Sequence, residues 1–162
     1  MQQQTYYTVR FNDCDPFGHL NNSKYIDYML NAREDHLGQF FQIELGDFHK
    51  QGFAWVVTNH EIQYIRPAAY NEKICIQSDL IEAGESHLLV EMRMYDEGMN
   101  SLKSILWTKF TCVNLKTAKK EIHSGDFMTL ANAMLVEGVN TKNGLKDRLA
   151  ELFKKTQVLA ER

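Results

Sequence analysis

The order of hydrophobic patterns in this 162-residue chain predicts an α+β fold in which one long helix lies on an antiparallel sheet. Three observations carry that expectation. A short alternating run is followed by a single stretch of helical period, and four further runs then alternate, with short turn-rich separators between the last three. The chain is 44% hydrophobic with acidic and basic residues interspersed, enough for one sizeable core.

Residues 5–11 are rich in Tyr, Val and Thr and read as a strand. The polar turn that follows contains Asp13, Cys14, Asp15, Pro16, Gly18 and His19, and Asn21, Asn22 and Ser23 each suit a helix N-cap. From there Lys24, Asp27, Asn31, Glu34 and Asp35 recur at helical spacing, with Tyr25, Ile26, Met29, Leu30, Ala32 and Leu37 on the other sides. Gly38 is the expected stop, and Phe40 and Phe41 beyond it suggest continued packing on the core. After a polar loop around 46–52, strands are expected over 53–66, 73–81, 87–95 and 101–114, in antiparallel succession. Asp126 suits the cap of a short helix reaching Leu135.

The expected organisation is a domain over 1–136, a linker over 137–144 and an amphipathic helix over 145–162, with Leu145, Leu149, Leu152, Thr156 and Leu159 stepping by four and three. That helix is expected to dock on the body or on a neighbouring subunit. A formal charge of -3 provides no broad basic face for nucleic acid. The N-terminus lacks a signal-peptide pattern, and no run approaches the ~20 apolar residues of a membrane span, so a cytoplasmic protein is expected. Cys14, Cys75 and Cys112 are odd in number and widely spaced, which reads as free thiols.

The turn concentrates more polar chemistry than a connection needs. A calcium loop counted from Asp13 fails, because Phe17 and Lys24 fall where oxygen ligands belong. Cys14 between two aspartates is a poor thiolate. A carboxylate ahead of a helix N-terminus remains, where unpaired N–H groups can stabilise a carbonyl oxygen gaining charge. Asp15 beside such a terminus suits acyl transfer or hydrolysis with no metal and no cofactor. Asx turns and caps holding a tight loop account for the same residues, and spacing does not separate the two.

The run from Asp13 through Asp15-Pro16-Phe17-Gly18-His19-Leu20-Asn21-Asn22, continuing to Tyr25 and Ala32-Arg33, resembles the signature of hot-dog-fold acyl-CoA thioesterases of the 4-hydroxybenzoyl-CoA thioesterase type. Tyr64-Ile65-Arg66-Pro67-Ala68 is a second, weaker match. The resemblance implies Asp15 as nucleophile or general base, the Asn22 backbone N–H as the group polarising the thioester carbonyl, and Gly18 as a point of close approach to substrate. His19 and Asn21 would orient Asp15 or a water, or else shape the turn. Tyr25, Thr58, His60 and Arg66 are the other candidate substrate contacts, with Thr58, His60, Ile62 and Tyr64 expected on one strand face.

Lys109, Lys116, Lys119 and Lys120 are further candidate cations for coenzyme A phosphates. The resemblance also implies a homodimer or tetramer with shared sites, to whose interfaces Trp55 and Trp107 could contribute. The chain departs from many relatives at Leu30-Asn31, where an acidic residue is common, and at Asn71-Glu72, where Gly-Asp is frequent. An acyl-CoA or acyl-carrier-protein thioester hydrolase is the resulting expectation. The alternatives are a non-catalytic acyl-thioester binding module and a hydratase or dehydratase on the same fold.

Overall fold

The computed structural model describes residues 2–160, with side chains to residue 154. Thr156 and Leu159 of the expected apolar stripe, and residues 161–162, lie outside the described side chains and residues. In chain order the elements are β1 (Gln4–Thr8), a single 3-10 turn (Phe11–Asp13), α1 (Asn22–Phe41), α2 (Leu45–Lys50), β2 (Phe53–Tyr64), β3 (Lys73–Ala83), β4 (His87–Asp96), β5 (Leu102–Asn114), β6 (Lys119–Lys120), α3 (Gly125–Met134) and α4 (Gly144–Ala160).

The antiparallel sheet has the order β1-β3-β4-β5-β2, with β6 paired to the end of β5. Consecutive pairing therefore holds for β3, β4 and β5 but not for β2, which joins the far edge of β5. The reason lies in residues 66–72. This connection pairs with the turn ahead of α1, Leu20 N–H donating to Ala68 O and Tyr70 N–H to Gly18 O at 2.8 Å each. It crosses the end of α1 instead of closing a hairpin.

α1 begins where Asn21 caps it, the Asn21 Oδ1 accepting from Ser23 N–H at 3.0 Å. It runs through Gly38 for one more turn and stops at Gln42, which adopts a left-handed φ of 55°. Phe40 and Phe41 hold that extra turn, Phe40 edge-on to His36 and Phe41 against the core. Met29 and Ala32 of α1 pack on Ile74, Ile76, Leu80, Val90, Met92 and Leu106 of the sheet. The opposite sheet face carries a second cluster of Ile81, Ile105, Trp107 and Leu145, so α4 docks on its own sheet. With both faces covered, β3 is buried almost continuously and its alternation is blurred.

α3 starts two residues earlier than expected, because Ser124 and not Asp126 is the cap, its Oγ accepting from Phe127 N–H at 3.2 Å. The expected linker is tied down: Val136 N–H donates to Leu80 O at 2.8 Å, and Thr141 Oγ1 donates to Glu82 Oε2 at 2.8 Å. α4 is anchored at its start by Leu145 N–H donating to Glu61 Oε1 at 3.1 Å. Further along, Arg148 Nε and Nη2 donate to the Glu91 carboxylate at 2.8 and 2.9 Å. No helix among the described residues is long and apolar enough to cross a membrane.

A buried polar knot joins α1 to β1 and β3. His36 is fully buried, with Nδ1 2.7 Å from Ser78 Oγ and Nε2 3.0 Å from Thr5 Oγ1. Burial, helped by the nearby Arg33 cation and opposed by Asp35, pushes its pKa from 6.5 down to about 4. The unfolded chain therefore binds a proton that the folded one refuses, so stability falls as pH drops from 6.5 toward 4. At up to ~1.4 kcal/mol per pH unit, His36 accounts for roughly 2 to 3 kcal/mol of acid sensitivity. Urea titrations are expected to show the stability advantage of wild type over His36→Gln shrinking across that window; a constant difference would refute the assignment.

Candidate active site

The turn ahead of α1 is a tight hairpin. Asp15 N–H donates to His19 O at 2.7 Å, Gly18 N–H to Asp15 O at 3.0 Å, and Asn21 N–H to Asp13 O at 2.9 Å. Pro16 is pre-set for the turn, and Gly18 takes φ +75°, a conformation that disfavours other residues. A Cβ at Gly18 would meet nothing within 4 Å, so this chain needs the glycine for its backbone angle and not for a close approach within the protomer.

Asp15 is locked by its own loop. Its Oδ1 accepts from Phe17 N–H at 2.9 Å and from His19 N–H at 3.1 Å, while Oδ2 has no hydrogen-bond donor among the described residues. The His19 backbone thus orients Asp15. The His19 ring is exposed and makes no hydrogen bond among the described residues. Asp13 is scaffold, its Oδ2 accepting from Tyr28 Oη at 2.7 Å. Cys14 is scaffold too: its Sγ donates to Arg10 O at 3.3 Å, and burial with the neighbouring Asp15 and Asp13 carboxylates raises its pKa.

At the helix start the donors divide unequally. Ser23 N–H is taken by Asn21 Oδ1, Lys24 N–H by Asn21 O at 2.8 Å, and Asn21 N–H by Asp13. Asn22 N–H alone in this first turn has no acceptor among the described residues. Its carbonyl is held from the sheet by Tyr64 Oη, which donates to Asn22 O at 2.9 Å. An open N–H at the positive end of a 20-residue helix is an electrophile fixed in place.

The strip 67–72 braces this hairpin. Tyr25 is buried with its Oη accepting from Ala68 N–H at 3.0 Å, and it stands edge-on to Tyr64 at 5.2 Å. It positions the strip. Lys103 Nζ bridges Pro67 O at 2.9 Å and Glu72 at 2.8 Å, while Glu72 also accepts from Ala69 N–H at 2.8 Å. Asn71 takes φ +61°, the angle a glycine there would supply at less cost. The departure at Asn71-Glu72 therefore keeps the turn and adds the Lys103 clamp. Neither Tyr64 nor Lys103 carries a local signal of this role, although alternation places Tyr64 on the helix-facing side with His60.

The other expected contacts separate. His60 stays on the α1 side, Nδ1 2.9 Å from Thr108 Oγ1, and burial lowers its pKa. Thr58 does not share that face: a bulge between Val57 and Asn59 turns it to the other side, where its Oγ1 lies 2.9 Å from Thr111 Oγ1. Arg66 is exposed beside the braced strip. Lys116, Lys119 and Lys120 are exposed at the opposite end of β5, roughly 40 Å away for a 13-residue strand. Trp107 is buried under α4 and donates to Glu91 Oε2 at 3.0 Å; Trp55 packs with Phe48 and Phe127. Asp27 pairs with Lys24, Asp35 accepts from Tyr7 and Glu34 lines the cavity beside the second half of α1, so among the described residues no α1 carboxylate is hydrogen-bonded to the hairpin. No group of three or more His, Cys, Asp or Glu among the described residues is placed to hold a metal ion.

A largely apolar cavity of about 250 Å³ lies between the second half of α1, α2, α3 and the sheet, lined by Leu30, Leu37, Leu80, Val90 and Phe110 among others. No single stretch of the chain signals it, because its walls come from seven elements.

Residues 9–142 match the profile of the Thioesterase-like superfamily. The long-chain acyl-CoA thioesterase FadM of Escherichia coli (strain K12) is 32% identical over 117 residues, covering 72% of this chain and 86% of that protein. Among solved structures, the YbaW probable thioesterase from Escherichia coli superposes with a TM-score of 0.72 at 25% identity, covering 83% of this chain and 99% of its own. The DHNA-CoA thioesterase from Staphylococcus aureus has a TM-score of 0.73 at 19% identity over 82% of this chain and 89% of its own, a likeness of fold.

Proposed function

From the premise that the chain belongs to the Thioesterase-like superfamily and has its hot-dog fold, we propose that it hydrolyses acyl-CoA thioesters with Asp15 as nucleophile or general base. The observation that carries this reading is the pairing of a turn-locked Asp15 with the one open N–H of the α1 start, Asn22. The thioester carbonyl oxygen takes that N–H. Either Asp15 attacks the carbonyl carbon or it removes a proton from a water that does, and the tetrahedral intermediate collapses with loss of the CoA thiolate. An acyl-enzyme formed by Asp15 is then released by water. The FadM relative supports acyl-CoA as substrate, and the apolar cavity supports an aliphatic acyl group.

β2 is an open edge of 12 residues, with Val56 and Val57 exposed at 43% and 42%. Such an edge invites pairing with another strand. Two-fold antiparallel pairing of two β2 edges would lay the Tyr64 end of one protomer, with its hairpin, beside the Phe53 end of its partner, where the cavity and the Lys116–Lys120 loop lie. We therefore assign a homodimer with composite sites. Light scattering is expected to give at least twice the 18.8 kDa chain mass; a monomer at micromolar concentration refutes it.

The decisive test of the activity is release of free CoA from a panel of short, long and aromatic acyl-CoAs. Turnover by wild type is the expected result. Saturable binding without turnover would identify a binding module instead, and hydration of an enoyl-CoA would move the chemistry to another class.

A further inference from the structure

The apolar cavity has a neighbour. A second cavity of about 220 Å³ is lined by Gln51, Cys112, Ile122, His123, Asp126 and Leu130, and it is the more polar of the two. The two share three wall residues, Phe48, Trp55 and Phe127. Their rings close on one another, with centroids 5.0 Å apart for Phe48 and Trp55, 4.8 Å for Trp55 and Phe127, and 5.7 Å for Phe48 and Phe127.

Trp55 is fixed from behind. Its Nε1–H donates to His123 Nε2 at 3.0 Å, and His123 Nδ1 lies 2.9 Å from Gly84 O, which sets the tautomer with the proton on Nδ1. Phe48 and Phe127 have no such tether; they are held by packing, on a six-residue helix and in the first turn of α3 respectively. The wall thus has one rigid panel and two that pack against it.

We propose that the Phe48, Trp55 and Phe127 rings form the stop that sets the length of the acyl chain. This rests on the acyl-CoA thioesterase reading above. Up to the rings a chain is buried against mainly apolar side chains; beyond them the lining is more polar, with Gln51, His123 and Asp126 beside Ile122 and Leu130. The second cavity is nearly as large as the first, so opening the wall would extend the space for a chain.

Rates are measured for saturated substrates from butyryl-CoA to arachidoyl-CoA with wild type, Phe127→Ala and Phe127→Leu. Removing the ring is expected to move the chain length of highest kcat/KM upward, by roughly four carbons in Phe127→Ala and less in Phe127→Leu, with butyryl-CoA hydrolysis within about threefold of wild type. If Phe127→Ala does not fold, Phe127→Leu decides. A folded variant with an unshifted length profile, or with the same fall at every length, overturns the proposal. A wild type inactive on every substrate overturns the thioesterase reading itself, which is a different result.

Discussion

Asp15→Asn is expected to lower kcat for acyl-CoA hydrolysis about 100- to 10,000-fold with little change in KM. The substitution isolates charge from architecture. Oδ1 of Asp15 accepts the Phe17 and His19 N–H groups, and an asparagine oxygen can keep both bonds, so the hairpin and the α1 start stay in place. What is lost is a second oxygen able to attack or to take a proton. Steady-state kinetics with an unchanged melting temperature would establish the role; full hydrolysis by Asp15→Asn across the substrate panel would remove it. Mass analysis after a single turnover in ¹⁸O water tests the nucleophilic route: label in Asp15 establishes it, because water attacking the aspartyl carbonyl of the acyl-enzyme leaves its oxygen there, whereas general-base catalysis labels only the released acid.

The largest expected stability effect lies on the other side of the sheet. Glu91 is fully buried, and its carboxylate takes Arg148 Nε, Arg148 Nη2 and Trp107 Nε1. Burial pushes its pKa up, but Arg148, Arg93 and Trp107 outweigh that and hold it below the usual carboxylate range. Arg148→Ala strips the buried carboxylate of two charge-assisted hydrogen bonds, leaving Arg93 Nε at 3.5 Å as its remaining cation, and is expected to cost about 3 to 5 kcal/mol, a fall of roughly 10 °C in Tm. Making both partners neutral, with Glu91→Gln and Arg148→Met together, is expected to recover most of that loss. A thermal melt of Arg148→Ala within a degree or two of wild type would contradict the assignment. The pH dependence has a definite sign: because the folded value is depressed, the contribution is complete above the ordinary carboxylate range and is lost as pH falls through the lowered value.

The strand, long helix and later strands are legible in the sequence because their periods and caps are local. Asn21 is a cap by residue type, and Pro16 with Gly18 announces a turn. Pairing order is not local: the placement of β2 beside β5 follows from residues 66–72 bracing the hairpin, which no periodicity records. The bulge that removes Thr58 from the face of His60 is likewise invisible to strict alternation. At the site, Asp15 and Asn22 stand out by motif, whereas Tyr64 acts on a residue 42 positions away. The partner of Arg148 is separated from it by 57.

α4 bears on how copies of this protein can be arranged. An assembly that stacks two sheets back to back needs a bare outer face, and here that face is occupied by Leu145 and by Arg148 bound to Glu91. Such stacking would require peeling the helix away and taking from Glu91 the two hydrogen bonds of Arg148. In the proposed homodimer the helix would act as a spacer, leaving the β2 edge open for pairing.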